Sequence, residues 1–216
     1  MGSMLLTSLY NAKGILLVVS GAAGTGKGTV NAHLLKNHPE YEYSVSATTR
    51  TPRFGETDGK EYHFISKTAF EQAIRDENVI EYTEYCGNYY GTLKSELKKL
   101  DEGKNLILEI DVEGAMNIKR MFPDSVTVFI LPPDYETLKK RLVGRGTNTP
   151  EDIENRMRKA LHEFTLVKEY DYAVLNRDGE ADKTAEVIAS IVESEKHRVS
   201  RSPGAVEKMF FLNENE

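Results

Sequence analysis

The sequence predicts an α/β fold in which a parallel sheet is flanked by helices. Three observations predict it: short apolar runs of strand length, helical periodicities that alternate with them, and a glycine-rich loop ending in a lysine directly after the first run. The run at residues 15–19, Ile-Leu-Leu-Val-Val, is continuous rather than alternating, the pattern of a strand buried on both faces. Similar runs recur at 106–110, 126–130 and 172–175. Helical spacing covers 29–37, 115–121, 134–143, 151–170 and 181–198.

The segment 44–92 breaks this rhythm. Alternation at 61–65 and 79–82, with one short helix near 68–75, predicts a small mixed α/β insertion, partly antiparallel. Residues 144–150, Gly-Arg-Gly-Thr-Asn-Thr-Pro, join two cation-bearing helices and have the composition of a helical lid, about residues 136–160 in all. The expected organisation is a core of 4–43 and 93–200, the insertion, a tail from 201 to 216, and an expression scar at residues 1–3.

Composition narrows the function classes. A chain of 216 residues, at ~150 per domain, is one large domain or one domain with insertions. Lys plus Arg number 28 against 34 Asp plus Glu, a net charge of −6, so there is no global positive field to hold nucleic acid or anionic lipid. Any anion must be gripped locally. The single cysteine, Cys86, precludes an intramolecular disulfide, and the expected compartment is a reducing cytoplasm. Cys86 reads as a packed small residue rather than a nucleophile. No apolar run approaches the ~20 residues of a membrane span.

Gly21-Ala22-Ala23-Gly24-Thr25-Gly26-Lys27-Gly28-Thr29 is the phosphate-loop pattern of Gly, four residues, Gly and Lys. Glycines let successive N–H groups turn inward around a phosphate, the following helix adds positive dipole charge, and the lysine reaches the outer phosphates. Gly28 stands where a metal-binding hydroxyl is common, so direct hydroxyl ligation of Mg²⁺ is not expected. The Gly-x-Gly-x-x-Gly dinucleotide pattern is absent. Asp111-Val112-Glu113-Gly114 matches a GTPase signature, but no Asn-Lys-x-Asp accompanies it, which makes a small GTPase the poorer reading.

The stretch from Ser44 to Glu56, Ser-Val-Ser-Ala-Thr-Thr-Arg-Thr-Pro-Arg-Phe-Gly-Glu, is followed by Tyr62-His63-Phe64, by Glu81, and by Gly87-Asn88-Tyr89-Tyr90-Gly91-Thr92. Together with the phosphate loop and the lid, these residues closely resemble guanylate kinase of the bacterial single-domain type, over about residues 15–198. The resemblance implies a P-loop NTPase-like core with a five-stranded parallel sheet, and transfer of phosphate from ATP to GMP, and to dGMP, in purine nucleotide metabolism. Guanine presents two adjacent donors, N1–H and the N2 amino group, and one carboxylate can accept both. By resemblance Glu81 does so, Ser46 and Thr92 donate toward O6 and N7, and Asp111 reaches the guanine side. The same resemblance sets Arg50, Arg53, Tyr62 and Tyr90 on the monophosphate, where guanidinium forks and phenols suit a dianion.

Residues 21–29 are then the ATP cradle, Asn176 contacts adenine, and Lys27, Arg141, Arg145 and Arg156 neutralise charge as the phosphoryl moves. Lys139, Lys140, Arg158 and Lys159 read as solvated. Glu109, where the family usually has Asp, is expected to hold Mg²⁺ through water. The five histidines lack metal spacing. No general base is expected, because the attacking phosphate oxygen is already anionic. The partners implied are ATP and GMP, without nucleic acid or membrane, and a homo-oligomer is left open. Two alternatives stand beside the enzyme: a guanylate-kinase-like module that binds a peptide in the GMP cleft, disfavoured by the intact phosphate loop, and a monophosphate kinase for another base.

Overall fold

The computed structural model describes residues 13–144 and 149–201. In chain order the elements are β1 (Leu16–Ser20), α1 (Lys27–Asn37), β2 (Tyr41–Tyr43), β3 (Ala47–Thr48), β4 (His63–Phe64), α2 (Lys67–Arg75), β5 (Val79–Tyr85), β6 (Asn88–Leu93) and the short α3 (Lys98–Asp101). They continue with β7 (Asn105–Glu109), α4 (Val112–Met121), β8 (Val126–Leu131), α5 (Tyr135–Val143), α6 (Pro150–Phe164), β9 (Tyr172–Leu175) and α7 (Ala181–Lys196). The expected scar at 1–3, the tail from 202 and Arg145 lie outside the described residues.

The main sheet has five parallel strands in the order β2-β7-β1-β8-β9. Its central strand is the continuous apolar run, and successive side chains leave it on opposite faces. Leu17 and Val19 join Ile107, Val128 and Ile130 in a core roofed by Val30 and Leu34 of α1 and by Ile188 and Val192 of α7. Leu16 and Val18 join Leu106 and Leu108 against Ala115 and Ile118 of α4. Both faces are therefore dry, which is why the strand carries no polar alternation. At ~1.5–3 kcal/mol for each fully buried aliphatic side chain, these layers fix the five strand ends relative to one another.

The insertion forms a second sheet, in the order β4-β3-β6-β5, with β6 antiparallel to both β3 and β5. Phe70 of α2 is fully buried and stacks on Tyr89 of β6. Cys86 and Gly87 turn the β5–β6 hairpin, both at positive φ (50° and 74°), as a two-residue turn with matching twist demands. This corrects the expectation for Cys86, which is exposed at a hairpin tip rather than packed.

One further difference has a local cause. The helix expected over 151–170 stops at Phe164, where Thr165 Oγ1 donates to the His162 carbonyl (2.7 Å) and the chain turns through a 3₁₀ segment, Val167–Glu169. α6 begins on a capping box of Thr149 and Asp152 with Pro150 in its first turn.

Candidate active site

The main sheet presents polar groups at the C-terminal ends of β1, β2, β7 and β9, where parallel α/β sheets place ligands. β1 runs into the glycine loop. Gly21, Gly24 and Gly26 have φ of 147°, 90° and 92°, conformations that L side chains rarely adopt. A Cβ on Gly21 would also lie 2.6 Å from the Ile130 carbonyl. The loop is pinned from inside, since Thr25 Oγ1 donates to the Ala22 carbonyl at 2.9 Å. Lys27 opens α1, and its ammonium donates to the carbonyls of Gly21 (2.5 Å) and Ala22 (3.2 Å). Gly28 and Thr29 are exposed on the first turn of that helix.

Asn176, expected on adenine, lies just beyond β9. Its side chain is buried, with Nδ2 donating to the Thr25 carbonyl at 2.8 Å, and a Cβ on Gly26 would collide with it. Its own carbonyl accepts from Arg141 Nη2 at 2.8 Å. Arg141 also reaches the Thr25 carbonyl (3.3 Å) and forks onto Asp178 Oδ1 through Nε (3.0 Å) and Nη2 (2.6 Å). Asn176 thus braces the loop, and Arg141 ties helix α5 to that brace.

A cavity of about 310 Å³ opens between the two sheets, lined by Tyr43, Ser46, Tyr62, Thr92, Glu109 and Ile110 among others. Glu81 of β5 stands opposite Thr92 of β6, whose hydroxyl donates to Glu81 Oε1 at 2.7 Å. Burial raises the Glu81 pKa, Thr92 opposes the shift, and the charge of Asp111 adds to it. Asp111 caps α4 by accepting from the Gly114 amide at 2.9 Å. A Cβ on Gly114 would lie 3.3 Å from Asp111 Oδ1 and 3.4 Å from Glu81 Oε2, so this glycine keeps the space in front of the two carboxylates.

Arg50 lies 5.5 Å from the Tyr62 ring centroid and 5.7 Å from that of Phe64. The Tyr62 and Tyr90 rings meet edge-on at 5.9 Å. Arg50 forms a bidentate pair with Glu56 (2.9 Å on each arm), which also accepts the Arg53 amide at 2.7 Å. The Arg50 bonds hold the Glu56 carboxyl below its ordinary pKa. Arg53's side chain belongs to an exposed residue on the same loop.

A second cavity, also about 310 Å³, is lined by Gly21, Ala23, Lys27, Glu109, Ile110, Asp111, Arg156, Lys159 and Glu163. Glu109 and Ile110 belong to both cavities, so the loop that holds Lys27 and the pocket beside Glu81 meet at the end of β7. Arg156 lines this cavity beside Lys27. Lys159, read as solvated, lines this cavity, although its side chain is largely exposed and pairs with Glu163 at 3.7 Å. Burial raises the pKa of Glu163, against the nearby charges of Lys159 and Lys27. Sequence reasoning assigned no role to Glu56, Asp178, Glu163, Asn31 or Tyr43. Only Glu56 had a local signal, the Arg-x-x-Arg-x-x-Glu spacing.

A family model described as guanylate kinase matches residues 13–195. The chain is 49% identical over 190 residues to guanylate kinase of Lactococcus lactis subsp. lactis, covering 88% of this chain and 92% of that one. It is 44% identical over 203 residues to guanylate kinase of Clostridioides difficile, with 94% and 98% covered. Among solved structures, guanylate kinase from Anaplasma phagocytophilum matches with a TM-score of 0.72 at 30% identity, over 94% of this chain and 98% of that one.

Proposed function

The chain belongs to the guanylate kinase family, and we propose that it transfers the γ-phosphoryl group of ATP to GMP, giving ADP and GDP, across the junction where its two cavities meet. That junction is the observation that carries the reading. It sets a triphosphate cradle on one side of Glu109 and Ile110 and, on the other, a pocket walled by Thr92, whose hydroxyl donates to Glu81. The insertion at 44–92 is the GMP-binding part.

Glu81 and Asp111 face guanine's N1–H and N2 amino group as acceptors. Thr92 orients Glu81 through the bond to Oε1, which leaves Oε2, on the Gly114 side, for the base. Adenine would set a lone pair against this carboxylate and leave buried polar groups unpaired, a mismatch that supports discrimination of ~10⁴ or more. Arg50, Arg53, Tyr62 and Tyr90 take the GMP phosphate, with Arg50 exchanging the Glu56 carboxylate for phosphate oxygens. Ser46, on the cavity wall, donates to the base.

On the ATP side the loop amides and Lys27 hold the phosphates, the ammonium giving up the Gly21 and Ala22 carbonyls. Arg156 and Arg141, with Arg145, stabilise the moving phosphoryl. The attacking GMP oxygen needs no base.

Mg²⁺ bound with ATP would neutralise phosphate charge. Among the described residues no group of three or more His, Cys, Asp or Glu forms a metal site, and Gly28 supplies no hydroxyl. The donor set fits an ion held through water: Glu109 lines the same cavity as Lys27, and the buried Asn31 Oδ1 beside it has no hydrogen-bond partner.

No helix among the described residues is long and apolar enough to cross a membrane, and the proposed site of action is the cytoplasm. The test is a coupled assay of ADP release with GMP, dGMP, AMP, CMP and UMP. Turnover with GMP and dGMP alone is expected. Equal turnover with AMP would overturn the reading of Glu81, and ADP release with none of the five would favour the peptide-binding alternative.

A further inference from the structure

We infer that Asn31 and Tyr43 are positioning residues for phosphoryl transfer, a two-sided clamp that holds the Glu109 carboxylate at the junction of the two cavities. This rests on the function proposed above. Glu109 is the last residue of β7 and the exposed one in a strand otherwise buried. A glutamate in that position has three free torsions and water on one side, so nothing in its own strand fixes where its charge sits.

Two donors fix it, and both bind the same oxygen. Asn31 Nδ2 donates to Glu109 Oε2 at 2.9 Å, and Tyr43 Oη donates to it at 3.1 Å. With Oε2 bonded from two directions, the carboxylate plane is set and Oε1 remains for a ligand between the cavities.

The donors come from the two parts of the chain that a transfer must bring into register. Asn31 lies four residues after Lys27 on α1, on the same helix face as the loop lysine. Tyr43 ends β2 and is the last residue before the insertion. Tyr43 pairs with Ile107, two residues ahead of Glu109 on the neighbouring strand, which puts its ring on the same side of the sheet as Glu109. Lys99 Nζ donates to the Tyr43 carbonyl at 3.0 Å and steadies the backbone.

Asn31 is also costly where it stands. It is fully buried in α1, and its Oδ1 has no hydrogen-bond partner. An apolar residue would serve the core better there, so the amide is explained by what its nitrogen holds rather than by packing.

The test uses the full chain and three variants, Tyr43→Phe, Asn31→Leu, which keeps the branched heavy-atom shape, and Glu109→Ala, with the first two also combined with Glu109→Ala. Tyr43→Phe is expected to lower kcat about tenfold with KM for ATP and GMP within about twofold, as removal of one bond to a charged group should. Asn31→Leu should do the same. In the Glu109→Ala background neither substitution should lower kcat further, because each acts only through that carboxylate. Thermal unfolding of Tyr43→Phe should match wild type within a few degrees.

Unchanged kcat in Tyr43→Phe would overturn the clamp. So would an undiminished loss in the Glu109→Ala background, or a loss confined to KM for GMP, which would mean that Tyr43 touches the substrate. A wild-type chain that does not phosphorylate GMP would overturn the proposed function and the clamp with it, whereas an active wild type with an unaffected Tyr43→Phe overturns the clamp alone.

Discussion

Replacing Glu81 by glutamine should move stability and GMP recognition in opposite directions. The carboxylate is largely desolvated, and burial together with Asp111 raises its pKa. A carboxyl whose folded pKa lies above its unfolded value contributes most below the unfolded pKa, and that contribution is lost as pH rises through the folded pKa. Ionised Glu81 therefore costs the fold stability at pH 7, and a neutral amide removes that cost. The melting temperature of Glu81→Gln should equal or exceed that of wild type at pH 7, and the advantage should shrink near pH 4, where Glu81 itself is protonated. Binding has the other sign. The amide NH₂ either meets the Thr92 hydroxyl or faces a guanine donor, and one charge-assisted bond becomes neutral or repulsive. At ~2–4 kcal/mol for losing such a bond and opposing two donors, kcat/KM for GMP should fall ~30- to ~700-fold. KM for ATP should stay within about twofold. The measurements are a GMP titration at saturating ATP, the converse titration, and thermal melts at the two pH values. Equal losses for both nucleotides would place Glu81 outside the base pocket, and a lower melting temperature at pH 7 would refute the desolvation argument.

Lys27→Ala should lower kcat by ~10²–10³-fold with the fold retained, since its ammonium donates to two carbonyls of its own loop; a melting curve and a single-turnover assay check both halves. Asn176→Ala should reduce turnover with ATP and with a non-adenine triphosphate donor in equal proportion, because the side chain braces Thr25. A loss confined to ATP would restore it to adenine. Gly114→Ala should stabilise α4 by up to ~1 kcal/mol while raising KM for GMP, its methyl standing in front of Asp111 and Glu81; thermal melts and a GMP titration on one preparation report both signs.

Legibility in the sequence tracked how local each signal was. β1, β7 and β8 were visible because a strand dry on both faces must be apolar at every position. β2 was not, since an edge strand reading Tyr-Glu-Tyr over three residues has neither a run nor a full alternation. The glycine loop could be read because its positive φ values and the lysine register are encoded in nine adjacent residues. The brace on that loop could not: Asn176 and Thr25 are 151 residues apart, and a single side-chain bond to a carbonyl has no periodicity to betray it. The same holds for Asn31 and Tyr43, which reach Glu109 across 78 and 66 residues. Cys86 went astray for a different reason. Residue type reports average burial, and its exposure is decided by which way one turn of chain faces.

A chain of net charge −6 that grips two polyanions must keep its cations from acting as general anion traps. Here the arrangement is one of exchange. Arg50 is held by Glu56, Arg141 by Asp178 and the Asn176 carbonyl, and Lys27 by the carbonyls of its own loop. A phosphate dianion carries about twice the charge of the carboxylate it displaces, so the exchange favours phosphate where several donors converge and gains little where a single fork meets a monoanion. The exchange also releases Asp178, an exposed carboxylate that water can take up at small cost. On the proposed assignment, specificity for a nucleotide over a free anion then comes from requiring the base reader, Glu81, and the phosphate cations to engage together, because neither contact alone recovers what the displaced pairs supplied.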